Sequence, residues 1–279
     1  MQGSVIMYNH CEFYNLHAEQ TSLNLDIQFS GEVTCVYPNW NFKEPPHAFN
    51  RLYFIIDAEG THIDNERGSC NLRPGHMYLI PAYFNCAHVC ESYLHKYYLH
   101  FTLEMFPGLD LIGHMNNEIL ELPYSQELLD QFLAAEKNTD LTNVIGLKVL
   151  LWQVIHKFIS QYQNNLEYKI LLDGFFRQRH ILQYLSTHLD ATLRIQDIAD
   201  TFHITARQLS RGFQQDVGLA LKSYMEQMLF SKASRLLLCT TAPIYQISEQ
   251  LGFSDPFYFS RFFKKFSNVT PSIYRKQQF

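Results

Sequence analysis

The chain has 279 residues, of which 47% are hydrophobic and 18% charged, and a formal net charge of −5. That length and apolar content suffice for two cores, while the six cysteines, Cys11, Cys35, Cys70, Cys86, Cys90 and Cys239, follow no disulfide-framework spacing and are expected to be reduced thiols. Met1-Gln2-Gly3-Ser4 leads into no basic-then-apolar segment and no apolar run reaches the length of a membrane span, so the expected location is cytoplasmic, without a membrane partner.

In chain order, residues 1 to about 105 read as short strands. Val33 to Tyr37, Arg51 to Asp57, Met77 to Pro81, Cys86 to Cys90 and His95 to Leu103 are rich in β-branched and aromatic residues, with Gly, Pro and Asn between them. Two helices are expected next. Gln126 to Lys137 carries Leu128, Leu129, Phe132 and Leu133 on one side. Thr142 to Tyr162 is apolar over most of its circumference, as a helix buried on two sides would be. Gln163-Asn164-Asn165 begins a polar linker, and Phe175-Phe176-Arg177-Gln178-Arg179 leads into the next unit.

The charge divides at that point. From Arg177 to Phe279 there are 13 Lys and Arg against 7 Asp and Glu, a net of +6, whereas the preceding 176 residues hold 9 against 20, a net of −11. A basic C-terminal unit suits a polyanion, and an acidic N-terminal unit is repelled by one.

Within the basic unit one pattern occurs twice. Ser210-Arg211 with Phe213 recurs fifty residues later as Ser260-Arg261 with Phe263, and the short amphipathic segments Ile195 to Phe202 and Ile244 to Leu251 precede them. Each copy reads as helix, turn, helix. Thr205 and Asp255 are candidate N-caps, and Pro256 sits where a missing N–H costs nothing. Leu209 with Phe213 and Phe259 with Phe263 point inward at i, i+4. That leaves Arg207, Ser210 and Arg211 outward in the first copy, and Phe257, Ser260 and Arg261 in the second, with Lys264 and Lys265 placed for phosphate. A capped helix with this face suits a major groove, where Arg pairs with both acceptors of guanine. His203 in the first turn and Gly212 inside the first recognition helix are unusual choices, the glycine costing about 1 kcal/mol against alanine. Leu221 to Cys239 reads as a connecting helix that would hold the two recognition helices about one DNA turn, roughly 10 bp, apart.

The stretch Ile247-Ser248-Glu249-Gln250-Leu251-Gly252-Phe253-Ser254-Asp255-Pro256-Phe257-Tyr258-Phe259-Ser260-Arg261-Phe262-Phe263-Lys264-Lys265, followed by Thr270-Pro271-Ser272-Ile273-Tyr274-Arg275, closely resembles the signature of the AraC/XylS family of transcription regulators. The resemblance runs from about Gln178 to Arg275. Leu72 to Pro81, with its Pro74-Gly75 turn, resembles a strand entry of the cupin barrel that holds the effector in that family. The helix from Thr142 to Tyr162 resembles the family's dimerisation helices.

These resemblances imply an α+β chain of two domains: a cupin-like β-barrel with dimerisation helices over residues 1–165, a linker over 166–176, and an all-α double helix-turn-helix domain over 177–279. They imply a regulator that binds double-stranded promoter or operator DNA as a homodimer, responds to a small-molecule effector and recruits RNA polymerase. Trp40, His47, Arg51, Tyr98 and His100 are the candidate effector contacts, since aromatic faces stack on planar or sugar ligands and Arg and His fix hydroxyls or carboxylates. Cys86, His88 and Cys90 alternate on one strand face with metal-ligand chemistry, and His76, His95 or His100 could complete a set. Without a CxxC pair or the His-x-His motif of metal cupins, neither a metal nor another cofactor is expected. The same absence argues against the rival readings, a cupin-type enzyme or a metal-dependent sensor fused to a DNA-binding domain. An effector-independent DNA binder is a third reading.

Overall fold

Strict alternation of side chains builds the first half of the molecule. A computed structural model describes residues 23–44, 46–106, 108–115, 118–137, 140–162 and 173–276. Eight strands form one antiparallel sheet: β1 (Asn24–Val36), β2 (Phe42–Glu44), β3 (Asn50–Asn65), β4 (Gly68–Asn71), β5 (His76–Ile80), β6 (Cys86–Phe106), β7 (Leu109–Asp110) and β8 (Leu120–Pro123). The main order is β1-β6-β3-β5-β8, with β2 and β7 on β6 and β4 on β3.

Two expectations change here. Cys86 to Cys90 and His95 to Leu103 are one continuous strand, because Tyr93 and Leu94 pair with both β3 and β1 and the buried Cys90, Leu94 and Lys96 keep one parity through the segment between them. The expected closed barrel is an open sheet among the described residues: its end strands β1 and β8 do not pair with each other. Two bulges bend it instead, one in β3 between Ile55 and Asp57 and one in β6 between Cys90 and Tyr93.

Both faces of the sheet are buried, and parity sorts them. Leu52, Phe54, Met77, Leu79, Tyr97, Leu99 and Phe101 face the helices, while Tyr53, Ile55, Tyr78, Ile80, Cys90 and Leu94 form a separate core on the opposite face with Trp40 and Phe84. Helix α1 (Leu111–Met115) follows β7. Helix α2 (Gln126–Glu136) is capped by Ser125, whose side chain accepts from Leu128 N. It lays Phe132 against Phe54 and Tyr97, with ring centroids 5.1 and 5.8 Å apart. Helix α3 (Leu141–Tyr162) buries Leu151, Val154, Ile155 and Phe158 but leaves Leu141, Val144, Ile145 and Val149 between 45% and 74% exposed. Its second half is therefore buried on one side, while the apolar side chains of its first turns are open to solvent. It is also the longest helix among the described residues, and none of these is long and apolar enough to cross a membrane.

Most of the expected linker lies outside the described residues, as do Cys11 and Gln163 to Asn165. Its last residues, 173–176, are helical, and Phe175 is buried in the same core as the sheet. Seven further helices follow: α4 (Arg179–His188), α5 (Ile195–Thr201), α6 (Ala206–Val217), α7 (Leu221–Cys239), α8 (Ile244–Gln250), α9 (Pro256–Ser267) and α10 (Pro271–Lys276). The helical region packs directly on the sheet region. Gly108, at φ +79°, approaches Met228 of α7 so closely that a Cβ would lie 2.6 Å from its Cγ. Arg235 of α7 reaches Asp26 of β1 at 3.3 Å, and His47 Nδ1 lies 2.8 Å from the Tyr274 hydroxyl of α10.

Asp110 lies buried between β7 and α1. Its carboxylate accepts from Asn50 Nδ2 at 2.7 Å and from the Leu103 and Gly113 amides at 2.9 Å each. Burial outweighs these donors and pushes its pKa up to about 7. The folded chain thus keeps a proton that the unfolded chain releases near pH ~4, so this group lowers stability as pH rises from about 4 through 7. Asp110→Asn removes the titration. Between pH 5 and pH 8 the stability of the wild type, measured by denaturant unfolding, is expected to fall by about 2–3 kcal/mol relative to that variant, and a constant difference would refute the assignment.

Candidate nucleic-acid interface

The doubled pattern is a doubled structure. Thr205 caps α6: its hydroxyl accepts from the Gln208 amide at 3.2 Å, and the Gln208 side chain accepts from Thr205 N at 3.0 Å, a reciprocal capping box. Asp255 caps α9 with one carboxylate oxygen, which accepts from Phe257 N at 2.7 Å and Tyr258 N at 2.8 Å, and Pro256 occupies the first helical turn. Both helices end on a left-handed residue, Gly218 at φ 77° and Asn268 at φ 62°. The turns before them match as well. Ile204 N donates to Ala199 O and Phe253 N to Ser248 O, each at 3.0 Å, across the positive-φ residues His203 and Gly252. His203 thus holds, at φ 54°, a backbone conformation that its counterpart meets with glycine. Gly212 does not interrupt α6, which runs unbroken from Ala206 to Val217.

With Leu209, Phe213 and Val217 buried on one side of α6, Arg207 and Arg211 stand exposed on the other and Ser210 is half-buried. Helix α9 buries Phe259, Phe263 and Ser267, leaving Phe257, Arg261, Lys264 and Lys265 exposed and Ser260 half-buried. The expected DNA-facing residues therefore fall into two groups, one per helix, on solvent-facing surfaces. Lys265 is engaged with Glu226 of α7, Nζ to Oε2 being 2.7 Å, while Arg261 lies over the Tyr258 ring, 6.0 Å from its centroid.

Helix α7 fixes the two groups relative to each other. Its Leu221, Tyr224 and Met225 join the core of the first motif, and its Phe230, Ala233 and Leu237 join that of the second. Arg275 Nε donates to Leu237 O at 3.1 Å, and Lys232 Nζ to Leu189 O at 3.2 Å, tying α10 and the end of α4 to the same helix. At the C-terminal end of α6, Gln178 Nε2 and Arg177 Nε donate to Asp216, each at 2.6 Å, and hold its carboxyl below the usual range.

The expected effector residues divide differently. Arg51 and Trp40 are buried, Tyr98 is half-buried and His100 buried, all in or against the core on the sheet face away from the helices. Tyr98 and His100 rings lie 5.1 Å apart, and Arg51 Nη2 reaches the Pro81 and Phe84 carbonyls at 3.4 Å each. His47 is elsewhere, against Tyr274 of α10, because it precedes β3 where the sheet meets the helical region. Two side chains outside the candidate effector set, Lys96 and the candidate metal ligand His88, lie with the cluster. Lys96 is 5% exposed, with Nζ 3.4 Å from the centroid of Tyr53 and 4.7 Å from that of Trp40, and His88 packs against Trp40 with the rings tilted and their centroids 4.4 Å apart. The signal was available in strand parity: Lys96 shares its phase with His88, Tyr98 and His100. Cys86 Sγ is 3.9 Å from His88 Nε2, and among the described residues no group of three or more His, Cys, Asp or Glu side chains is arranged to hold a metal.

A family model for a helix-turn-helix domain matches residues 198–277. The arabinose operon regulatory protein of Escherichia coli is 37% identical over 100 residues, 36% of this chain and 34% of that protein. Its Salmonella typhimurium namesake is 30% identical over 154 residues, 55% of this chain and 53% of that protein. This chain thus spans about a third to a half of the length of those relatives. The HTH-type transcriptional activator RhaS of Shigella sonnei is 25% identical over 264 residues, 86% of this chain and 89% of that protein. Among solved structures, ToxT from Vibrio cholerae matches with a TM-score of 0.55 at 15% identity, covering 91% of this chain and 98% of that one, a likeness of fold.

Proposed function

We propose that this chain, whose C-terminal region is a helix-turn-helix domain of the AraC type, acts as a sequence-specific transcription regulator that binds double-stranded DNA through α6 and α9 and answers to a small-molecule effector. The carrying observation is the pair of capped helices, one presenting Arg207 and Arg211 and the other Arg261 and Lys264 to solvent, both seated on α7. Arg in the first turns of such a helix reads guanine, and Lys farther along neutralises phosphate. Relatives named for the arabinose operon and for the activator RhaS support a promoter-directed role that includes contact with RNA polymerase.

The sheet is the effector-binding part in this reading. Its outward core brings Arg51, Lys96 and His100 among Trp40, Tyr53 and Tyr98, a combination that pairs apolar stacking faces with groups able to orient hydroxyls or a carboxylate. Relatives named as operon regulators of sugars and a ToxT structure with a bound unsaturated fatty acid are compatible with either ligand chemistry. The open apolar face of α3, Leu141, Val144, Ile145 and Val149, supplies a self-complementary surface for a homodimer.

Three outcomes follow. On a selected operator, Arg211→Ala weakens binding by about 1–3 kcal/mol and relaxes preference at one or two positions, whereas Lys264→Ala weakens all sequences alike and lowers the salt slope by about 1. Unchanged affinity and preference in Arg211→Ala, measured by fluorescence anisotropy, would sink the groove assignment. In sedimentation the wild type is a dimer and Ile145→Glu shifts it toward monomer; a wild type that stays monomeric at high concentration removes the dimer. In a thermal-shift screen of sugars, small acids and aromatic metabolites, an effector present at about 100 times its Kd adds about 2.7 kcal/mol to the stability of the full chain, and a screen without a hit favours effector-independent DNA binding.

A further inference from the structure

We propose that Phe257 is a specificity-determining residue that reads the C5 methyl of a thymine, so that the second recognition helix specifies its half-site through an apolar contact at the position where the first uses a guanidinium. The inference rests on the groove reading above.

The internal repeat supplies the alignment. An offset of fifty residues superposes the caps Thr205 and Asp255, the buried Leu209 and Phe259, Phe213 and Phe263, the left-handed Gly218 and Asn268, and the fully buried Tyr224 and Tyr274. The same offset superposes Arg211 on Arg261 and Arg207 on Phe257. Five correspondences from cap to final tyrosine leave no freedom of register between them.

Phe257 is 82% exposed, the most exposed large hydrophobic side chain among the described residues. Its exposure is fixed locally rather than by chance. Asp255 accepts from the Phe257 amide, Pro256 fixes the preceding φ, and Phe259, two positions on, is fully buried. The two positions point about 200° apart on the helix, so the face that packs Phe259 inward turns the ring of Phe257 outward in the first turn, the part of a recognition helix that meets base edges. Ser260, Arg261 and Lys264 follow at i+3, i+4 and i+7 on the same side.

That surroundings select the ligand. A ring with an Arg and a Lys on its own helix face suits a polyanion bearing an isolated apolar group. In the major groove the one such group is the thymine methyl, for which Phe is a suitable partner. Water leaves both on contact, and the flanking cations meet the phosphates on either side.

The test is selection of bound duplexes from a random library by the full chain and by Phe257→Ala and Phe257→Gln, with circular dichroism to show that the exposed position leaves folding unchanged. The wild-type consensus is expected to hold a thymine that both variants no longer prefer. Replacing that thymine by deoxyuridine, which removes only the methyl, should weaken the wild type about fourfold and leave Phe257→Ala unaffected. If the wild type selects a consensus that Arg211→Ala relaxes but that Phe257→Ala preserves, or deoxyuridine at every thymine is neutral, the Phe257 inference falls while the groove reading stands. If the wild type selects no sequence, the groove reading falls and takes this inference with it.

Discussion

One helix that buries more than half of its residues holds the C-terminal half together. Helix α7 buries residues around its circumference, including Leu221, Tyr224, Met228, Phe230, Ala233, Ser234 and Leu237. A helix polar on one side would have served one partner; this one is apolar toward three, the two helix-turn-helix motifs and the sheet. Because Phe213 packs on Tyr224 and Phe263 on Phe230, with ring centroids 5.3 and 5.1 Å apart, each recognition helix is positioned by the same rigid rod. The separation of α6 and α9 is therefore a property of close packing along α7, not of a flexible connection.

The same helix faces the sheet. Met228 meets Gly108 and Arg235 meets Asp26. A second seam lies at α10, where Tyr274 packs on Phe263 of the second recognition helix and meets His47. His47 stacks on Phe49 at 4.6 Å, and Phe49 on His100 at 5.0 Å. Ring contacts thus run without a gap from the outward core of the sheet to the core of the second motif. Gly108 and Met228 show how tight the join is, since no side chain fits between their backbones.

In the sheet, each strand carries two cores at once. Residues of one parity close against α2 and α3, and those of the other enclose Lys96 and Arg51 among aromatic rings. Burying a cation is costly unless polar or π partners replace water. The Tyr53 and Trp40 faces around Lys96 Nζ and the carbonyls around Arg51 provide such replacements. A side chain slipped by one residue would put these cations into the helix-facing core, so the bulges between β3 and β6 set the register as well as the bend.

Much of this was legible in the sequence alone. The repeat, the caps Thr205 and Asp255, the inward pairs at i, i+4 and the basic C-terminal charge are local facts, because a capped amphipathic helix depends on residues within a few positions of one another. The sequence likewise determined the outward faces of α6 and α9 once the buried pairs were known. It could not join Cys86 to Phe106 into one strand or keep the sheet open, since strand extent and closure depend on partners far along the chain. Nor could it place His47 against Tyr274 apart from the other candidate effector residues, or bring Lys96 beside those candidates. Those placements were decided by tertiary packing, in which residues 227 positions apart, His47 and Tyr274, come within hydrogen-bond distance, and no local pattern encodes such a pairing.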